Sequence, residues 1–111
     1  MTTEITRVTM IKLPSDGHVA VALEGFEKFT KAQQKNGKPY ILSMQAGAAN
    51  GNVKDQGFNF VAKSVFKNKE DMAYYETECT GHNEFKTFLK ENAPVTALMT
   101  VYFTPGYSYN A

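Results

Sequence analysis

From Phe58 to Phe66 the chain alternates. Phe58, Phe60, Ala62, Ser64 and Phe66 fall in one row, and Asn59, Val61, Lys63 and Val65 in the other. A period of two is the signature of a pleated strand, whose successive side chains point to opposite faces of a sheet. Neither row is fully polar, so both faces of this strand need cover. The same two-sidedness recurs in residues 5–13, where Ile5, Arg7, Thr9, Ile11 and Leu13 oppose Thr6, Val8, Met10 and Lys12. In residues 95–103, Val95, Ala97, Met99, Val101 and Phe103 oppose Leu98 and Tyr102 with Thr96 and Thr100. Assigning the more apolar row of each strand to a helix layer leaves opposite rows too apolar for a wet surface and too polar for a core. That mixture suits a face that meets another folded surface, and a symmetric homodimer is the simplest partner. The alternative is a wet sheet face dotted with β-branched residues.

Between the strands the period changes. Residues 18–35 carry Val19, Leu23, Phe26 and Phe29 at helical spacing, with Glu24, Lys28, Lys31 and Lys35 elsewhere; Gly25 weakens this helix and Asn36-Gly37-Lys38-Pro39 stops it. Tyr40 to Ala46 reads as a second strand, followed by a polar connection through Asn50-Gly51 and Gly57. Residues 70–79 place Met72, Tyr75 and Cys79 on one stripe, with Tyr74 and Glu78 on the wet side. Residues 82–91 place His82, Phe85 and Leu89 on another, with Gly81 interrupting the two. Pro94 introduces the last strand, and the six-residue tail after Pro105 has little to bury. The order β-α-β-β-α-β predicts an α+β, ferredoxin-like protomer in a single domain, 1–111, with one antiparallel four-stranded sheet and helices on one face.

Composition narrows the class of partner. With 42% hydrophobic and 21% charged residues over 111 positions, the chain has an ordinary globular make-up, and a net charge of +1 gives no strong field toward nucleic acid or an anionic membrane. No apolar run is long enough for a bilayer helix, and Met1-Thr2-Thr3-Glu4 carries neither a secretory nor a transit pattern. One cysteine, Cys79, cannot form an internal disulfide, which places the protein in a reducing compartment, by default the cytoplasm.

Titratable side chains, aromatics and a chain reversal coincide only in residues 74–88. The helical spacings aim Tyr75 and His82 at one interior space. His82 falls in a first helical turn, where the dipole favours a neutral imidazole, and a neutral imidazole beside a phenol can move protons. The structural alternative is a histidine bonded to a backbone carbonyl beneath a helix, with Tyr75 as ordinary core. His18 and His82 lie far apart without ligand-spaced companions, so no metal is expected; phosphate-binding glycine loops are absent and no cofactor is expected.

The opening Ile5-Thr6-Arg7-Val8-Thr9-Met10-Ile11-Lys12-Leu13, the Gly57-Phe58-Asn59-Phe60-Val61 strand, Asp71-Met72-Ala73-Tyr74-Tyr75 and His82-Asn83-Glu84-Phe85 together resemble the stress-responsive dimeric α/β-barrel (Dabb) domain, fungal members more than plant ones. The resemblance implies a protomer whose sheet packs on its partner's to close a barrel, with a cleft between helices and sheet. Some members are polyketide cyclases that close a β-keto chain with histidines and a tyrosine. Carried over, their histidine matches His82 and their tyrosine stands near Tyr75, whereas two other cyclase histidines are Arg7 and Phe60 here. The expected cleft is therefore lined by His82, Tyr75, Arg7, Phe60 and Phe26, and takes an aromatic or β-dicarbonyl compound, with Arg7 offering a fixed cation or, alternatively, only pairing with a carboxylate such as Glu4. The competing function is a non-catalytic stress-associated dimer. A more distant one is an RNA recognition motif, suggested by Gln56-Gly57-Phe58-Asn59-Phe60-Val61 but lacking its basic, small and last aromatic positions.

Overall fold

The computed structural model describes residues 3–111; Met1 and Thr2, which open the stretch read above for a leader, lie outside them. Strands β1 (Ile5–Lys12), β2 (Ile41–Ala48), β3 (Phe60–Phe66) and β4 (Ala97–Phe103) form one antiparallel sheet in the order β2-β3-β1-β4. Helices α1 (Gly17–Ala32), α3 (Lys69–Thr77) and α4 (Thr80–Asn92) pack on one side of it, and a single turn, α2 (Asn52–Asp55), sits in the β2–β3 connection. The fold is the expected ferredoxin-like one.

Several local expectations shift. The first helix stops at Ala32, not residue 35, because Gln33 turns extended and its buried amide oxygen accepts from the backbone of Tyr40 and Ile41, capping the start of β2. Asn36 and Gly37, at φ 55° and 80°, then make a tight reversal closed by Lys35 and Lys38. The third strand begins at Phe60 because the Asn59 side chain leaves the alternation: it accepts from Leu13 N and donates to Leu13 O, pinning the end of β1. Gly81 lies inside α4, and the break between helices falls at Glu78 and Cys79. Its small size serves packing, since a Cβ there stands 3.2 Å from the Phe29 ring. Tyr74 is half-buried rather than wet, edge-on to Tyr40 with its hydroxyl donating to Gln34 O.

The largest correction concerns β4. Thr9 and Ile11 face the helices, and β4 pairs Thr100 with Thr9 and Leu98 with Ile11, so Leu98, Thr100 and Tyr102 face the helix side. Met99, Val101 and Phe103, assigned above to the helix layer, stand on the open face beside Met10, Val8 and Thr6. Ranking rows by apolarity fails here because β4 is an edge strand that the helices leave exposed. Met99, Val101 and Phe103 are each half or more exposed, and with Val8, Met10, Val61 and Val65 they make the open face distinctly apolar.

Gly25 explains itself in the α1–α4 contact. A Cβ there meets the Phe88 ring at 2.5 Å. Gly25→Ala is therefore expected to lower stability by about 1 kcal/mol, overpacking outweighing the gain in helix propensity; an unchanged or raised urea midpoint contradicts this.

Candidate functional site

A cavity of about 540 Å³ lies between α4, the end of α3 and the helix side of β1 and β4. Its polar end is made by Arg7, Thr9, Ser64, Tyr75, Glu76 and His82. The apolar end is made by Ile11, Phe26, Phe85, Leu89, Val95 and Leu98. That volume suits a small organic molecule.

His82 reaches the cavity because it is the third residue of α4, on the stripe that also buries Phe85 and Leu89. Its ring is buried, stacked on Tyr75 at 3.9 Å between centroids and 17° between planes, with Phe29 5.6 Å away. Nδ1 lies 2.8 Å from the carbonyl oxygen of Tyr75. A carbonyl only accepts, so Nδ1 carries the hydrogen and, in the neutral ring, Nε2 is the basic atom. Burial is the main cause that lowers the His82 pKa to about 4; the Tyr75 carbonyl opposes it, and the positive charges of Lys86 and Arg7 add to it. Tyr75 is pushed up to about 12, first by burial, with Arg7 and Ser64 pulling the other way, so it stays a phenol and a hydrogen-bond donor. The face-to-face stacking gives the two rings no in-plane hydrogen bond to each other. Each can address a third molecule separately.

Arg7 is held from three sides. Nε donates to Glu76 Oε2 at 3.3 Å, Nη1 donates to Thr9 Oγ1 at 3.1 Å, and the guanidinium carbon stands 5.0 Å from the centre of the Tyr75 ring. Thr9 in turn meets Thr100 of β4 at 2.9 Å. The carboxylate beside Arg7 is thus Glu76, across the fold, where Glu4 was the candidate named from the sequence.

Of the five expected cleft residues, four meet at this cavity: His82, Tyr75, Arg7 and Phe26. Phe60 does not. It is fully buried in the core, and the next residue in its row, Ala62, lines the cavity instead. Sequence reasoning missed Thr9, Ser64, Glu76, Lys86 and Lys90. Lys86 and Lys90 follow His82 at steps of four, a signal open to inspection, whereas Ser64 opposite Arg7 needs the strand register. Cys79 is fully buried, as its stripe implied. Among the described residues no three His, Cys, Asp or Glu side chains gather as metal ligands, and no helix is long and apolar enough to cross a membrane.

The low pKa of His82 has a thermodynamic consequence. The unfolded imidazole takes a proton near pH 6.5 and the folded one only near 4, so the unfolded state binds more protons between these values. The stability from the neutral ring is complete above pH 6.5 and falls as pH drops toward 4. The loss amounts to about 3 kcal/mol at about 1.36 kcal/mol per unit. Urea unfolding at pH 7 and pH 4.5 is expected to show about 2 kcal/mol of this loss in the wild type and much less in His82→Asn; equal losses contradict the burial.

The geometry defines an α+β protein of ferredoxin-like fold with a polar-ended cavity between its helices and sheet. Residues 5–101 match the stress responsive A/B barrel domain, and the chain belongs to that family. A fusaristatin A biosynthesis cluster protein of Gibberella zeae is 45% identical over 101 residues, covering 91% of this chain and 72% of that protein. The hydroxynitrile lyase of Passiflora edulis is similar in fold, with a TM-score of 0.71 at 9% identity over 99% of this chain and 100% of that one. A dimeric ferredoxin-like protein of unknown function from Thermobifida fusca matches at a TM-score of 0.71 and 12% identity, over 95% and 93% of the two chains.

Proposed function

We propose that two copies of this chain pair through their open sheet faces into a dimeric α/β barrel, and that each cavity binds a small carbonyl compound and removes a proton from it. The observation that carries the reading is the neutral His82, its Nδ1 tied to a backbone carbonyl, stacked on Tyr75 beside Arg7 at the polar end of a roomy cavity. Pairing is supported by the apolar open face and by the dimeric protein of the same fold. A lyase of the same fold supports acid/base chemistry in such a protomer.

The ligand is an aromatic or β-dicarbonyl compound with its carbonyl toward Arg7 and Tyr75. His82 Nε2 takes the proton from the carbon beside the carbonyl. The C–H electron pair moves into the enolate, whose oxygen takes the Tyr75 hydroxyl hydrogen bond and the field of Arg7. Return of the proton from His82 to carbon, or attack of the enolate carbon on a second carbonyl whose oxygen then takes that proton, completes an exchange or a ring closure without any redox change. Benzoylacetone tests this: the wild type is expected to bind it and to speed the exchange of the hydrogens between its two carbonyls with deuterium from solvent, through a transient enolate. Binding without faster exchange leaves a pocket without a base, and no binding removes the site.

A further inference from the structure

We infer that the ligand of this cavity is an amphipathic anion, whose acidic group is held at the cavity mouth by Lys86 and Lys90 while its apolar body lies along Phe85 and Leu89. The inference rests on the cavity being a ligand site and names the class of molecule that enters it. Lys86 and Lys90 line the cavity yet are exposed, as are Leu98 and Thr100 across from them on β4, so these residues form its rim. Like charges at i and i+4 on a helix repel, and neither lysine has a carboxylate three or four residues away along α4. Among the described residues neither makes an ion pair, whereas Lys31, Lys35 and Lys54 each do. The one lining carboxylate, Glu76, is already engaged by Arg7.

The rim therefore offers two unneutralised cations above a wall of Phe85, Leu89, Val95 and Leu98. That is the complement of an acyl or aryl chain ending in a carboxylate or a phosphate. Lys90 in the last turn of α4 also suits the helix dipole, which explains its charge but not the second lysine one turn earlier. Pairing through the opposite sheet face leaves the rim open. A bound anion also sets a negative charge near the cations that disfavour a proton on His82, which makes that ring a better base once the ligand is in place.

Calorimetry with decanoate, decyl phosphate and decanol on the wild type, Lys86→Gln/Lys90→Gln and Lys86→Arg/Lys90→Arg tests the inference. The wild type is expected to bind at least one of the two anions more tightly than the alcohol. The Gln pair is expected to lose that anion's affinity by about tenfold and the Arg pair to keep it, with decanol unchanged throughout. Whichever anion responds identifies the carboxylate or the phosphate as the natural acidic group. Decanol bound as tightly as both anions, or anion affinities indifferent to the Gln pair, overturns the inference while leaving the cavity a ligand site. If none of the three compounds binds, the ligand-site reading falls and this inference with it.

Discussion

Val101→Asp is expected to convert the protein from a particle of twice 12.4 kDa to the single 12.4 kDa chain in light scattering, with its circular dichroism spectrum intact. Val101 stands midway along the edge strand β4, on the open face directly across from Val8, with Met99 and Phe103 in the same row. In the monomer a carboxylate there meets water and costs little, because Val101 is 60% exposed. In a back-to-back dimer it is desolvated, and twofold symmetry brings two of them to the interface. Several kcal/mol per buried charge corresponds to a loss of affinity of about 10³-fold or more. Thr87→Asp, on the exposed side of α4, provides the control and is expected to leave the dimer intact. A Val101→Asp protein that still runs at double mass means that copies pair through another surface.

His82→Asn is expected to lower the rate of enolate formation by about 10²–10⁴-fold while the protein remains folded. Asparagine keeps a side-chain N–H for the Tyr75 carbonyl but has no counterpart of Nε2. The substitution also removes a ring that stacks on Tyr75 and packs beside Phe29, so a stability loss of about 2 kcal/mol accompanies it. Phe29→Leu separates the two effects. Phe29 packs on the same histidine but does not line the cavity, so its truncation lowers the melting temperature and leaves enolate formation within a few-fold of wild type. Equal loss of activity in both variants makes His82 a packing residue. A wild type that forms no enolate at all matches a non-catalytic dimer.

The fold was legible because period-two and period-3.6 segments alternate in an order that few sheets satisfy. Tyr75 and His82 were legible as neighbours for the same reason, since each falls on the buried stripe of its own helix. What escaped the sequence depends on register and on edges. Arg7 meets Glu76 and Thr9 meets Thr100 across 69 and 91 residues of chain, distances over which no periodicity speaks. Phe60 and Ala62 share one row of β3, yet only Ala62 lies beneath the cavity. The inversion of β4 is the most instructive difference. Its polar row lines a cavity with Thr100 and its apolar row faces outward, so apolarity there marks the proposed contact with a second chain rather than the protomer's own core.

The most direct measurement is the ¹⁵N spectrum of the His82 imidazole across pH, with and without benzoylacetone. The expected result is a neutral ring with the hydrogen on Nδ1, protonated only as pH approaches 4, whose Nε2 resonance moves when the compound enters. A ring that carries its hydrogen on Nε2, titrates near 6.5, or ignores the compound contradicts a base poised at the wall of a binding cavity.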